Sequence, residues 1–308
     1  MQKFDFQPTP IQKEEKLSKL LGINLFIKRD DLFPISGGGN KGRKLQYILK
    51  KVINEKYTAV VTAGGIQSNH TRSTAIMCNN LGLKCTVIIH ANKPMHPTTG
   101  NLKILELLGT KIIYCSMENV ASTMDAAVDD FSAEGEKPFY LWGGGHCLEG
   151  TFAYYDAVKE LTKQTAIKFD KVYHASGTGA TQAGLHVGFC ELSPVTKVIG
   201  VSIARDNAKG TVAVTKSAEE LLAYLGPNEL LEPINFDDNF LCGGYEKSTT
   251  ELLEMISYVA KKSGIILDPT YSGKAFLAML NHVKTKQITL NQNILFWHTG
   301  GLLNLMAS

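Results

Sequence analysis

A chain of 308 residues, 44 % of them hydrophobic, can bury two sizeable cores, and 32 Lys and Arg against 29 Asp and Glu leave a net charge of only +3. The basic residues are spread along the chain, which argues against nucleic acid as the main partner. Nothing approaches the roughly 20 apolar residues of a membrane helix, and the first twenty residues lack a signal-peptide core, so a cytoplasmic protein with no membrane partner is expected.

Short β-branched runs alternate with amphipathic stretches from end to end: NLFIKR (24–29), TAVVTAG (58–64), CTVIIH (85–90), KIIYCS (111–116), PFYLW (138–142), KVYHAS (171–176), KVIGVSI (197–203) and ILFWHTG (294–300). That alternation predicts an α/β protein with open, mostly parallel sheets. Glycine clusters at 37–39 and 143–145 bracket a block of small-domain size, so residues 44–150 are expected to form a small α/β domain inserted into a larger one built from 1–43 and 151–308.

The first glycine cluster opens SGGGNKGRKL (36–45), where Leu45, Ile48, Leu49, Val52 and Ile53 form one helical face and Asn40 is placed as N-cap. Lys41, Arg43 and Lys44 then stand at a helix start, where the helix dipole disfavours cations. The conflict is tolerable if something anionic, or chemically bonded, meets them. In TAGGIQSNHTRSTA (62–75), Ser68 and Asn69 serve either as helix caps or, with Gln67 and His70, as donors for a carboxylate-bearing ligand. SGTGATQAGL (176–185) follows a strand and opens a helix, so backbone N–H groups and the hydroxyls of Ser176, Thr178 and Thr181 can cradle an anion. No GK[ST] follows, and Gln182 stands where a dinucleotide fingerprint needs glycine, so a lone phosphate fits better than a nucleotide. ILDPTYSGKAF (266–276) puts Tyr271 and Ser272 at a helix start, and LFWHTGGL (295–302) leaves the Thr299 hydroxyl at a strand end. Six cysteines form no CxxC pair and read as reduced thiols. The eight histidines show no metal spacing, although His90 and His96 are near neighbours, and no metal is expected.

A phosphate loop, a glycine-flanked lysine, a strand-end hydroxyl and an aromatic ring are the parts that pyridoxal 5′-phosphate requires. GGNKGRKL, GGIQSNHTR, SGTGATQAGL, LDPTYSGK and HTGG resemble, in order and over nearly the whole chain, the D-cysteine desulfhydrase and 1-aminocyclopropane-1-carboxylate (ACC) deaminase group of fold-type II pyridoxal-phosphate enzymes. The resemblance implies a tryptophan synthase β-like fold with the active site in the interdomain cleft, and a homodimer. It implies Lys41 as the Schiff-base lysine, Asn69 at the cofactor's phenolic oxygen, and Gly177, Thr178, Gly179, Ala180 and Thr181 as the phosphate cup. Gln67, Ser68 and Asn69 would bind the substrate, with Ser68 and Tyr271 also catalytic and Tyr245 as a second substrate-facing tyrosine. The glycine that follows this tyrosine in the group is Glu246 here.

ACC deaminases carry glutamate directly after the active-site tyrosine, to hold a protonated pyridine nitrogen. Here that position is Ser272, with Thr299 an equal candidate for the contact. A hydroxyl makes the ring a weaker electron sink, suited to α,β-elimination from a small amino acid. D-cysteine going to pyruvate, hydrogen sulfide and ammonia is therefore the expected reaction. ACC deamination to 2-oxobutyrate, and a non-catalytic phosphate- or nucleotide-binding protein, are the alternatives.

Overall fold

The computed structural model describes residues 7–93, 98–226 and 232–307, so His96 lies outside the described residues. Two sheets organise the chain. The larger contains β1 (Ile11–Lys13), β2 (Asn24–Lys28), β7 (Lys171–Ser176), β8 (Lys197–Ser202), β9 (Asn235–Asp237) and β10 (Asn293–Trp297), in the order β1-β2-β10-β7-β8-β9. The smaller contains β3 (Ala59–Gly64), β4 (Lys84–His90), β5 (Lys111–Cys115) and β6 (Pro138–Leu141), in the order β5-β4-β3-β6. Every pairing is parallel except β1 with β2. All eight apolar runs read from the sequence are strands. The two three-residue edge strands, β1 and β9, have too few residues to show an alternation.

The helices are α1 (Glu15–Leu21), α2 (Asn40–Asn54), α3 (Asn69–Leu81), α4 (Gly100–Leu107), α5 (Val120–Ala133), α6 (Leu148–Gln164), α7 (Ala180–Leu192), α8 (Asn207–Leu225), α9 (Thr250–Ser263), α10 (Ser272–Lys284) and the short α11 (Leu302–Leu305). The predicted face of α2 is the one that packs: Leu45, Ile48, Leu49 and Val52 are fully buried against Val60, Met77, Cys78 and Leu141 of the smaller-sheet layer. Burying each such side chain contributes about 1.5–3 kcal/mol. Cuts at 43/44 and 150/151 fall inside α2 and the first turn of α6.

Asn40 is not the N-cap of α2. That position belongs to Gly39, and Asn40 is the first helical residue, with its N–H donated to the Thr299 carbonyl (3.0 Å) and its side-chain amide to Thr181 Oγ1 (3.3 Å). The three glycines make this entry possible. Gly38 has φ of 57°, and a Cβ there would stand 1.8 Å from the Asp31 carbonyl oxygen.

The start of α2 is fixed by a buried ion cluster. Asp30 accepts from Arg43 (Nη2, 2.7 Å; Nε, 3.0 Å), Tyr154 (2.7 Å), Trp297 (2.9 Å) and Thr9 (2.7 Å), and Glu160 accepts from Arg43 Nη1 (2.7 Å) and from Lys28. The cluster joins α2 to β2, α6 and β10, so the first turn of α2 is held with the larger sheet while its apolar face packs on the smaller.

Candidate active site

In parallel sheets, ligand sites form beyond the carboxyl ends of the strands. Here the turns after β3, β7 and β10 meet the starts of α2 and α10. Lys41, Asn69, Gly177, Thr178, Gly179, Thr181, Tyr271 and Thr299 line a small enclosed pocket, which opens into a cleft of about 320 Å³ reached by Ser68, His70 and Tyr245. Lys41 and Tyr271 line both spaces.

Lys41 donates to the Gly144 carbonyl (3.3 Å), a contact shared with Lys44 (3.3 Å). Burial lowers the Lys41 pKa to about 8. Lys44 is 1 % exposed and is pushed well below the ordinary lysine range, first by burial and then by the Lys41 charge. The cations that the sequence places at a helix start do not splay into water. One is bound in the ion cluster, and two converge on a carbonyl from the second glycine cluster.

At the end of β7, Gly177–Thr181 lead into α7, whose N-terminus has no side-chain cap. Gly179 has φ of 105°, the left-handed range that turns the chain sharply before the helix. Arg205 braces this loop from outside, donating to the carbonyls of Gly177 (3.1 Å) and Thr178 (2.9 Å). Ser176 is 2 % exposed, its hydroxyl lacks a partner among the described residues, and it lines the enclosed pocket. Thr181 Oγ1 already accepts from Asn40, leaving its own proton to donate. An orphaned buried hydroxyl, a free hydroxyl proton and uncapped helix N–H groups form a phosphate-sized donor set, so these residues fit the phosphate of pyridoxal phosphate. Ala180, fully buried as the first residue of α7, does not itself line the pocket.

Ser68 is both cap and cleft residue: its hydroxyl accepts from Thr71 N–H (3.3 Å), and it lines the cleft. Asn69 faces the enclosed pocket. Its Oδ1 accepts from Asn101 (3.0 Å), which leaves its amide N–H groups for a ligand oxygen. Gln67 turns away from the cleft, because its side chain caps the start of α4, accepting from Asn101 N–H (2.8 Å) and donating to the Thr99 carbonyl (3.1 Å). Ser272 does not reach the pocket either. Its hydroxyl donates to Asp268 (2.6 Å) and accepts from the Asp268 N–H (2.9 Å), closing the buried turn that starts α10. Thr299 lines the pocket, and its hydroxyl has no partner among the described residues. Tyr271 and Tyr245 share a hydrogen bond between their hydroxyls (2.8 Å).

Lys44, Asn101, Arg205 and the Gly144 carbonyl belong to the site without a sequence motif that marks them as site groups. Lys44 had a signal, since it lies three residues after Lys41 on the same helical face. Asn101 and Arg205 act across contacts distant in sequence, and Gly144 is marked only as part of the second glycine cluster.

A family model described as pyridoxal-phosphate dependent enzyme matches residues 3–300. The chain is 33 % identical over 306 residues to a D-cysteine desulfhydrase of Yersinia enterocolitica, covering 97 % of this chain and 93 % of that protein. It is equally identical over 310 residues to the D-cysteine desulfhydrase of Klebsiella pneumoniae, with the same coverage. A crystal structure of an ACC deaminase homologue superposes with a TM-score of 0.90 at 31 % identity, over 97 % of this chain and 91 % of that one.

Proposed function

The chain belongs to the pyridoxal-phosphate-dependent enzymes, and from that premise we propose that it carries out α,β-elimination on a small D-amino acid, D-cysteine first, to give pyruvate, hydrogen sulfide and ammonia. The observation that carries this reading is the position of Lys41. Lys41 lines both the enclosed pocket beside the 177–181 loop and the open cleft, and burial holds its pKa at about 8.

When bound, the cofactor supplies an electron sink for charge developing at the substrate's α-carbon. Ser176, Thr178, Thr181 and the N–H groups at the start of α7 would hold its phosphate, Asn69 its phenolic oxygen, and Thr299 its ring nitrogen. Ser68 Oγ and the Asn69 amide bind the substrate carboxylate, and Gln67, which caps α4, supports that loop from behind. Lys41 Nζ, as a neutral amine, takes the α-proton; a pKa near 8 leaves about a tenth of the amine uncharged at neutral pH, far more than an ordinary lysine has. The electron pair of the broken β-carbon–sulfur bond leaves with sulfur, and the resulting enamine hydrolyses to pyruvate and ammonia. Tyr245 and Tyr271 wall the cleft where the β-substituent lies.

The larger sheet with residues 1–43 and 151–308 would form the cofactor domain, and residues 44–150 the smaller one that closes on it. No helix among the described residues is long and apolar enough to cross a membrane. A cytoplasmic homodimer accompanies this reading by likeness to the family.

The test is keto-acid release by the cofactor-loaded protein from D-cysteine, L-cysteine and ACC in parallel. Pyruvate from D-cysteine alone supports elimination, 2-oxobutyrate from ACC replaces it with ring opening, and neither product from any of the three rejects the substrate class.

A further inference from the structure

The cleft that receives the substrate is larger than D-cysteine needs. Ser176, Thr181, Asn69 and Thr299, which would hold the cofactor's phosphate and ring, line the enclosed pocket alone, so the neighbouring cleft of about 320 Å³ is left to the substrate. That volume lies in the range of sites that take drug-sized ligands. D-cysteine ends at a single sulfur beyond its β-carbon. Lys41 and Tyr271 line both spaces, which puts the reacting carbon at the inner end of the cleft and leaves the rest of it empty.

The empty part is apolar. Its wall is made by Met117 on the turn after β5, Val120 at the start of α5, Trp142 after β6 and Ile203 after β8. Val120 and Ile203 are buried, whereas Trp142 is 44 % and Met117 65 % exposed. Large apolar side chains are commonly exposed singly, but here two of them converge on one concavity that also holds the reactive lysine. Trp142 is held in place. Its ring stacks on Tyr140 at 6.3 Å with the planes 9° from parallel, and the turn that follows it carries the Gly144 carbonyl to which Lys41 donates (3.3 Å). A fixed aromatic face beside a flexible thioether suits apolar groups of varied shape. Among the described residues the lining holds no carboxylate, and its Arg205 is tied to the carbonyls of Gly177 (3.1 Å) and Thr178 (2.9 Å).

We propose that the cleft selects S-conjugates of D-cysteine, in which sulfur carries an aromatic or similarly bulky apolar group, and that this group lies against Trp142 and Met117. The inference rests on the elimination reading above and names the substrate class of that same site. Lys41 takes the α-proton, the bond between the β-carbon and sulfur breaks, and its electron pair leaves on sulfur as a thiolate that takes up a proton from water. The remaining enamine is hydrolysed to pyruvate and ammonia. A thiol therefore replaces hydrogen sulfide among the products, and the only co-reactant is water.

The test compares S-phenyl-D-cysteine with D-cysteine on the holoenzyme, measuring pyruvate from both. Thiophenolate and hydrosulfide are leaving groups of similar basicity, so a large preference reports the fit of the ring rather than the ease of bond breaking. The parent kcat/KM should be about tenfold or more higher on S-phenyl-D-cysteine, chiefly through a lower KM. Trp142→Ala and Met117→Ala should each lower that ratio by about fivefold, and Trp142→Phe, which keeps a ring, should retain most of it. A parent ratio near one or below, or variants that lose both substrates in equal proportion, overturns the inference. Pyruvate from S-phenyl-D-cysteine with none from D-cysteine rejects D-cysteine as the substrate and supports the conjugate class. If neither compound releases pyruvate, the elimination reading fails and the wall is judged by binding. Of the two tryptophans, Trp297 is fully buried and Trp142 faces the cleft. S-phenyl-D-cysteine should then change the tryptophan fluorescence saturably, at concentrations where D-cysteine does not, and Trp142→Phe should abolish the change. Fluorescence that ignores S-phenyl-D-cysteine overturns the inference independently of turnover.

Discussion

In the cofactor-free protein the amine of Lys41 should titrate near pH 8, against an ordinary lysine value of 10.5. The perturbation is pH itself, and burial sets the size of the effect. A drop of about 2.5 in pKa leaves about 10 % of the amine neutral at pH 7, against about 0.03 % for a free lysine, a gain of about 300-fold in reactive base. Competitive acylation from about pH 6 to 11, read peptide by peptide by mass spectrometry, gives the midpoint, with exposed Lys50 as internal reference. The sign for stability follows. Between pH 8 and 10.5 the unfolded chain carries the proton at Lys41 and the folded chain does not, so this group makes the apoprotein more stable as pH rises through that window. Because burial sets the shift, Lys44→Met should leave the Lys41 midpoint near 8. A Lys41 midpoint at the ordinary lysine value in the parent protein would refute the reasoning. A return to 10.5 only in the Lys44 variant would transfer the cause from burial to the neighbouring charge.

Asp30 is fully buried, and although burial raises its pKa, Arg43, Lys28 and the Trp297 bond together outweigh that and hold it at about 2. Its stabilising contribution is complete above the unfolded value of 3.8 and is lost as pH falls towards 2. Asp30→Asn should therefore lower the unfolding free energy by about 3–5 kcal/mol at neutral pH, and flatten the acid limb of the stability curve; an acid limb as steep as the parent's would argue against the ion cluster as its source. The two hydroxyls proposed for the ring nitrogen separate cleanly. Thr299→Val should change the absorbance of the bound cofactor and lower kcat, whereas Ser272→Ala should leave the spectrum alone and reduce stability by about 1 kcal/mol, and the opposite pattern would return the contact to Ser272.

The sequence by itself determined the alternation of eight strands with amphipathic helices, the apolar face of α2 and the loops at the strand ends, because periodicity and glycine placement are local properties of the backbone. It also put Lys41, Ser68, Asn69, Thr299 and the 177–181 loop at strand ends and helix starts, and of these all but Ala180 line the pocket or the cleft. Only the tertiary structure decided which side chains face the cleft. Gln67 and Ser272 have the right chemistry at the right turns, yet α4 and Asp268 claim their hydrogen-bonding groups, and those partners are 34 and 4 residues away in sequence. Lys44 and Gly144, 100 residues apart, meet at a single carbonyl. Glu246 stands out in sequence only as a missing glycine. Its carboxylate stands against Gly65, just past the end of β3 and far away in sequence, and no local pattern encodes that packing.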